Sequence, residues 1–235
     1  ARIEKSKDGT RFLLKRAASY AKDQTYALYS LTQKQLSETL MPLGDFPGKD
    51  AVRAYAEGLG LVTAKKPDSQ EICFVPDNDY AAFIKRRISS LPEEGNFVDL
   101  EGNILGRHKG IINYTVGQRK GLGAFGRPMF VTRIVPEQNA VILGENGAQY
   151  AKEFTVEGIN AISAQMSGSF DCDVKIRFRA PAAPAHVEFD SKNTARVIFS
   201  EPQRSVTPGQ FAAFYIGNEV IGGAKIAGVE AWRIL

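Results

Sequence analysis

Two cysteines are the residues of this chain best suited to covalent chemistry, and the first, Cys73, lies in the segment KKPDSQEICFV. A thiolate attacks electrophiles or carries sulfur, and Lys65 and Lys66 just upstream favour that form. A free cysteine in a short apolar run is also, and more commonly, a small buried hydrophobe. The residues alone leave both interpretations of Cys73 open.

The second cysteine, Cys172, lies in DCDVKIRFR, where polar and apolar residues alternate. A period of two is typical of a strand with one buried face, which predicts that Cys172 points into a core. The opposite face carries Lys175, Arg177 and Arg179 in one line, about 7 Å apart. Such a line matches the phosphates of a nucleic-acid backbone, or it is a solvated strand face. The aromatic Phe178 is interpreted first as a core residue.

A glycine-rich basic segment, GRHKGIINYTVGQRKGLG, occupies residues 106–123. Glycines let main-chain N–H groups approach an anion closely, and nearby cations hold it. Neither P-loop nor Rossmann spacing is present, so no nucleotide site is indicated. A hairpin that contacts nucleic acid and a purely structural loop both stay open.

The two histidines, His108 and His186, have no metal-ligand spacing with each other or with the cysteines, so no metal site is predicted. Cys73 and His108 could form the nucleophile and base of a cysteine hydrolase, but no residue supplies a third, orienting group.

The composition predicts two or three small domains with real cores, because 235 residues are 43% hydrophobic. The net charge of +4 permits an anionic partner without demonstrating one. Few cysteines, no secretory leader and no apolar run near the ~18 residues of a membrane span predict a cytoplasmic protein with no membrane contact.

The elements that must position these residues change in type along the chain. Residues 1–14 are predicted to form a hairpin, Thr32 and Gln35 have capping-box spacing, and a helix over 52–59 ends at Gly60. A strand over 72–75, a helix over 80–88 and a turn at 101–103 follow. Regularly spaced strands after residue 154 predict a small closed barrel, with strands over 172–179, 186–189, 195–199, 211–216 and 220–226.

Six segments, taken in order, resemble the tRNA-specific 2-thiouridylases of the MnmA type along essentially the whole chain. These segments are KDQTYAL (22–28), PLGDFPGKDAVR (42–53), KKPDSQEICFV (65–75), LGRHKGIINYTVGQRKGLG (105–123), VKIRFR (174–179) and TPGQFAAFY (207–215). Any one of them is a weak signal, whereas six in family order are specific.

The resemblance implies a mixed α/β and β fold in three parts. Residues 1–76 would be the end of an α/β nucleotide-binding domain, 77–150 a small α+β central domain, and 151–235 an antiparallel β-barrel. It implies ATP-dependent 2-thiolation of the wobble uridine of tRNA, with Cys73 carrying the sulfur as a persulfide. The implied partners are tRNA and a sulfur-donor persulfide protein, and ATP is the implied co-substrate.

The resemblance also implies a set of tRNA-binding residues in two of these parts. They are Lys22, Asp23, Gln24, Arg177, Phe178 and Gln210. One departure is that the family's ATP-binding loop is not found in this chain, so an incomplete form is expected. A non-catalytic tRNA-binding module is the alternative function.

Overall fold

The computed structural model describes residues 1–66, 75, 79–88, 93–162 and 166–229. Cys73 lies outside the described residues, as does the strand expected there apart from Val75. The chain divides into two compact units. Unit 1 comprises Ala1–Lys66 with Lys152–Leu235, and unit 2 comprises Pro67–Ala151. The three-part division from the sequence stays a prediction.

Among the described residues, two short strands and three helices come first, a fourth helix follows, and the rest of the chain is mainly strands. The strands are β1 (Arg2–Lys5), β2 (Phe12–Lys15), β3 (Gly95–Val98), β4 (Ile104–His108), β5 (Phe130–Val135), β6 (Ala140–Gly144), β7 (Tyr150–Ala161), β8 (Ser169–Lys175), β9 (Ala183–Phe189), β10 (Thr194–Arg204), β11 (Phe211–Ile216) and β12 (Glu219–Val229). The helices are α1 (Thr25–Leu28), α2 (Gln33–Ser37), α3 (Lys49–Gly58) and α4 (Tyr80–Lys85). None of the described helices has the length and apolar character needed to cross a membrane.

Unit 1 contains a closed antiparallel barrel, as the strand spacing predicts. Its sheet runs β1-β2-β12-β11-β8-β9-β10-β7, and β12 pairs again with β7 to close a ring of six strands. The barrel interior is apolar, and the rings of Phe154 and Phe199 lie 5.5 Å apart inside it. Sheets avoid exposed edges by such closure.

The N-terminal hairpin extends the barrel's sheet. Strands β1 and β2 pair as predicted, and β2 then pairs with β12 through Leu14 and Val220. The following helices pack on the same side, in an apolar cluster that includes Tyr26, Tyr29 and Leu36. Gly223 allows this close approach, because a Cβ there would lie 2.4 Å from the ring of Tyr29.

Two helix signals predicted from the sequence are confirmed in unit 1. Helix α2 carries the predicted capping box, in which the Thr32 hydroxyl accepts from the Gln35 N–H and the Gln35 side chain accepts from the Thr32 N–H. Helix α3 ends near the predicted Gly60, which has a left-handed φ of 69°. No residue of α3 is buried by the described part of the chain.

One sequence prediction is wrong at the end of β8. The strand stops at Lys175, so Arg177 and Arg179 do not continue the line of cations; residues 177–180 form a turn closed by Ala180 N–H and the Arg177 carbonyl, 3.2 Å apart. The neighbouring strand β9 starts only at Ala183, after Pro181. Without a paired neighbour the extended pattern ends.

Unit 2 is a mixed four-stranded sheet in the order β4-β3-β6-β5, with β3 and β6 parallel. The predicted turn at 101–103 joins β3 to β4, and the Asp99 carboxylate accepts hydrogen bonds from the N–H groups of Glu101 and Asn103. Apolar residues of the sheet and of the glycine-rich segment form its core, among them Phe97, Leu122 and Val131. The helix predicted at 80–88 is present as α4, with Asp79 as its cap.

Candidate nucleic-acid interface

The residues predicted to bind tRNA fall on three segments, all in unit 1. Lys22, Asp23 and Gln24 precede α1, Arg177 and Phe178 follow β8, and Gln210 precedes β11. Four of the six are solvent-exposed, whereas Asp23 is buried and Arg177 half-buried.

One buried side chain, that of Tyr26, ties the three segments together. Its hydroxyl lies 3.1 Å from the carbonyl oxygen of Ile176 and 3.0 Å from that of Phe211, and it shares its proton between them. Tyr26 follows the first segment, Ile176 precedes the second and Phe211 follows the third. Burial raises the pKa of Tyr26, so the hydroxyl stays a neutral donor.

The Asp23 carboxylate is used inside the protein. It accepts a hydrogen bond from the Ala17 N–H at 2.9 Å and a second one from the hydroxyl of Thr25. The Thr25 oxygen lies 3.3 Å from the hydroxyl of Tyr215, whose pKa is raised by burial. Buried carboxylates require such partners. The tRNA contact of Asp23 therefore stays a prediction, with the exposed Lys22 and Gln24 on either side.

The Arg177 guanidinium holds the turn that carries Gln210. Its Nε donates to the carbonyl of Ser205 at 3.1 Å, and its Nη2 donates to the Thr207 hydroxyl at 2.8 Å. The turn then closes through the Gln210 N–H and the Thr207 carbonyl, 3.1 Å apart. Burial is the main reason that the pKa of Arg177 is lowered, and Tyr26 opposes this effect. The alignment of Gln210 thus depends on Arg177.

Phe178 is not a core residue, which corrects the first interpretation of its position. The residue is 48% exposed, because the alternation of β8 ends before it and Ile176 is the last buried residue of that run. The Lys175 ammonium lies 5.8 Å from the centroid of this ring and 5.9 Å from that of Tyr26. Such distances are those of cation–π contacts. Exposed aromatic rings beside cations are typical of surfaces that bind unpaired bases.

His108 of unit 2 has a structural position. Its Nδ1 accepts from the Gly110 N–H at 3.0 Å, which leaves Nε2 as the donor to the Asn139 carbonyl, also at 3.0 Å. Burial lowers the pKa of His108, in agreement with a neutral ring. With both nitrogens engaged, the ring has no free lone pair with which to act as the base of a hydrolase.

The glycine-rich segment of unit 2 is partly structural. Gly117 and Gln118 exchange backbone hydrogen bonds with Val131, at 2.7 and 2.9 Å. Beyond them, a cavity of about 360 Å³ is lined by the loop from Leu122 to Met129 and by Arg119. The choice between a nucleic-acid contact and a structural loop stays open for Arg119 and Lys120, which are exposed.

Cys172 is buried, as the alternation of DCDVKIRFR predicts. Burial, assisted by the charge of Asp173, raises its thiol pKa to about 12, so it is protonated near neutral pH. Within the described ranges no three His, Cys, Asp or Glu side chains are arranged to hold a metal ion.

Sequence reasoning missed the buried polar contacts of Thr25, Tyr26 and Tyr215 that lie beside these three segments. All three lie inside the quoted segments KDQTYAL and TPGQFAAFY. A tyrosine or threonine in an otherwise apolar block signals a polar group that needs a buried partner. The partner itself is distant in sequence and only the fold reveals it.

Comparison with known proteins finds a matching family model for each of three regions of the chain. Residues 1–77 match the family model described as tRNA methyl transferase HUP domain, 81–145 the tRNA methyl transferase PRC-barrel domain, and 151–226 the Aminomethyltransferase beta-barrel domain.

Curated relatives match across all three regions. The chain is 48% identical to the tRNA-specific 2-thiouridylase MnmA of Clostridioides difficile (96% of this chain, 63% of that protein). It is 51% identical to the protein of that name from Acetivibrio thermocellus (92% and 60%) and 50% identical to that of Lachnoclostridium phytofermentans (92% and 61%). The chain thus spans about three fifths of the length of these relatives. The ordered segments, the three matching models and these identities together show that the chain is similar, over almost its whole length, to the tRNA-specific 2-thiouridylases named MnmA.

Proposed function

We propose that this chain is the tRNA-holding part of a sulfurtransferase that 2-thiolates the wobble uridine of tRNA. The observation that carries the proposal is the Tyr26 hydroxyl, which joins the three segments bearing the predicted contacts. Because the proposed substrate is a tRNA, a cytoplasmic location is part of the proposal, as is the division into parts 1–76, 77–150 and 151–235.

Each exposed side chain of the surface has a matching group on RNA. The Lys22 ammonium suits a backbone phosphate. The amides of Gln24 and Gln210 can donate to and accept from base edges or ribose hydroxyls. The half-exposed ring of Phe178 offers a stacking platform for an unpaired base. In this proposal Asp23 and Arg177 act chiefly by aligning their neighbours.

The chemistry is assigned to Cys73 as a persulfide. ATP is the co-substrate: transfer of its adenylyl group makes the uridine C2 oxygen a leaving group, with release of pyrophosphate. The terminal sulfur of the persulfide, loaded by a sulfur-donor protein, forms the bond to C2, and AMP leaves with the oxygen. A second thiol cleaves the remaining S–S bond and forms a disulfide with Cys73, which a reductant reopens. No described residue is assigned to ATP.

Thiolation is tested in the full-length protein with ATP and a persulfide donor, with 2-thiouridine measured by mass spectrometry of digested tRNA. We expect Cys73→Ser to abolish the product. Cys172→Ser is the matched control and should retain most of the activity, since that thiol is buried and protonated. Equal loss in two folded variants would contradict the role of Cys73.

A non-catalytic tRNA-binding module is the second candidate, because the groups assembled on the described surface are binding groups. Binding of this chain to a tRNA transcript with an unmodified wobble uridine tests the part that both candidates share. Phe178→Ala should weaken binding about tenfold, within the range of one stacked base. Ile216→Ala, an equally exposed residue at the opposite end of β11 from Gln210, should bind normally. An absence of tRNA binding by the intact chain would overturn the proposal for this surface.

A further inference from the structure

Lys175, the last residue of β8, is a cation that forms no ion pair with the described residues. It is half-buried, and its ammonium lies about equally far from the ring centroids of Tyr26 and Phe178, at 5.9 and 5.8 Å. Within the described part of the chain its side chain makes neither a hydrogen bond nor an ion pair, only these ring contacts. A partly desolvated ammonium without acceptors is costly for the folded protein.

The charges around Lys175 leave a positive excess. Asp23 and Arg16 are the charged groups that act on it, the first attracting and the second repelling it. Both oxygens of Asp23 already accept hydrogen bonds, from Ala17 and Thr25. The Arg16 guanidinium stacks 4.0 Å from the centroid of the Tyr215 ring. Two cations therefore share one carboxylate that is already hydrogen-bonded.

Lys175 also differs from the other cations of its segment. The Arg177 guanidinium donates to Ser205 and Thr207, so its known hydrogen bonds serve the fold. Arg179 lies exposed in the turn after β8. The Lys175 ammonium is positioned between two rings and is partly shielded from water. Both features strengthen a charge-assisted hydrogen bond to an incoming anion.

We propose that Lys175 binds one backbone phosphate of the RNA beside the base that stacks on Phe178. This inference rests on the proposed tRNA binding and adds a contact to it. The phosphate would supply the missing negative charge and accept the hydrogen bonds of the ammonium. Lys175 and Phe178 would then hold the phosphate and the base of neighbouring positions along one strand.

The test is tRNA binding by the whole chain over a series of salt concentrations. Lys175→Gln should weaken binding about tenfold at low salt and reduce the slope of log K against log salt by about 0.7–0.9, the contribution of one phosphate. Lys175→Arg should restore most of that slope. Lys192→Gln removes the same charge from the exposed turn between β9 and β10, at the opposite end of β8, and should change neither quantity.

The outcomes separate this inference from the proposed function. Normal affinity and slope in Lys175→Gln, with tight binding by the unmodified chain, would overturn the inference and leave the proposed function intact. A chain that binds no tRNA would overturn both. NMR of ¹³C-methylated lysines covers the case in which the variant is misfolded: tRNA should raise the pKa of Lys175 in the native sequence, and an unchanged pKa would overturn the inference.

Discussion

The two units each contain a buried polar cluster, and the clusters differ in what they support. In unit 1, Asp23, Thr25, Tyr26 and Tyr215 are buried and linked by hydrogen bonds to backbone or to one another. In unit 2, His108 is saturated by Gly110 and by the carbonyl of Asn139.

The two clusters differ in the residues that surround them. Beside the unit 1 cluster stand exposed side chains that suit RNA, such as Gln24, Phe178 and Gln210. The unit 2 cluster joins turns, and Gly95 leaves room for it, since a Cβ there would lie 1.9 Å from the Asn139 oxygen. Hydrogen-bonded buried polar groups thus join the segments that carry the predicted contacts in unit 1, whereas in unit 2 they hold turns together.

The largest effect is expected from Asp23→Ala. The change leaves the Ala17 N–H buried without its acceptor and leaves the Thr25 hydroxyl with only the Tyr215 oxygen, 3.3 Å away, which costs roughly 3 kcal/mol of unfolding free energy. Urea unfolding measures it, with the exposed Asp190→Ala as control. Unchanged stability together with lost tRNA binding would mean that Asp23 contacts RNA directly. The structural role given to Asp23 in the unit 1 cluster would then be wrong.

Acid should destabilise unit 2 through His108. Its folded pKa lies below the ordinary value of 6.5, so the unfolded chain binds more protons as the pH falls through that value. Stability is therefore complete above about pH 6.5 and declines below it, by at most about 1.4 kcal/mol per pH unit. Urea midpoints at several pH values measure this, and His108→Gln should flatten the decline. An equally steep decline in that variant would assign it to other groups.

Tyr26→Phe sharpens the comparison, because it removes one oxygen and keeps the ring. The loss of the hydrogen bonds to Ile176 and Phe211 should cost about 1 kcal/mol of stability. It should weaken tRNA binding several-fold, since the segments carrying Phe178 and Gln210 lose their common anchor. Tyr55→Phe, an exposed tyrosine of α3, is the matched control. Full affinity in Tyr26→Phe would show that the surface is aligned without this hydroxyl.

The smallest effect is expected at Cys172. With a pKa of about 12 and little exposure, its thiol should resist alkylation by iodoacetamide at pH 8 in the folded chain and react after unfolding in urea. Peptide mass spectrometry distinguishes the two cysteines. Rapid labelling of Cys172 under native conditions would contradict its place in the barrel.

Much of the fold was predictable because its signals are local. The capping box at Thr32, the turn at 101–103 and the regular barrel strands depend on residues close together in sequence. The end of β8 was not predictable from its own alternation, since a strand stops where its neighbour stops, and β9 begins late. That one error placed Phe178 in the core and Arg177 on a strand face.

The sequence by itself determined the resemblance to a family, the barrel strands and the burial of Cys172, because ordered motifs and alternation are properties of the chain alone. Only the tertiary structure decided that hydrogen bonds join the three segments carrying the predicted contacts. Tyr26 meets carbonyl groups 150 and 185 residues away, and Asp23 proves to be buried. Hydrogen bonds at such separations arise from packing, so no local pattern encodes them.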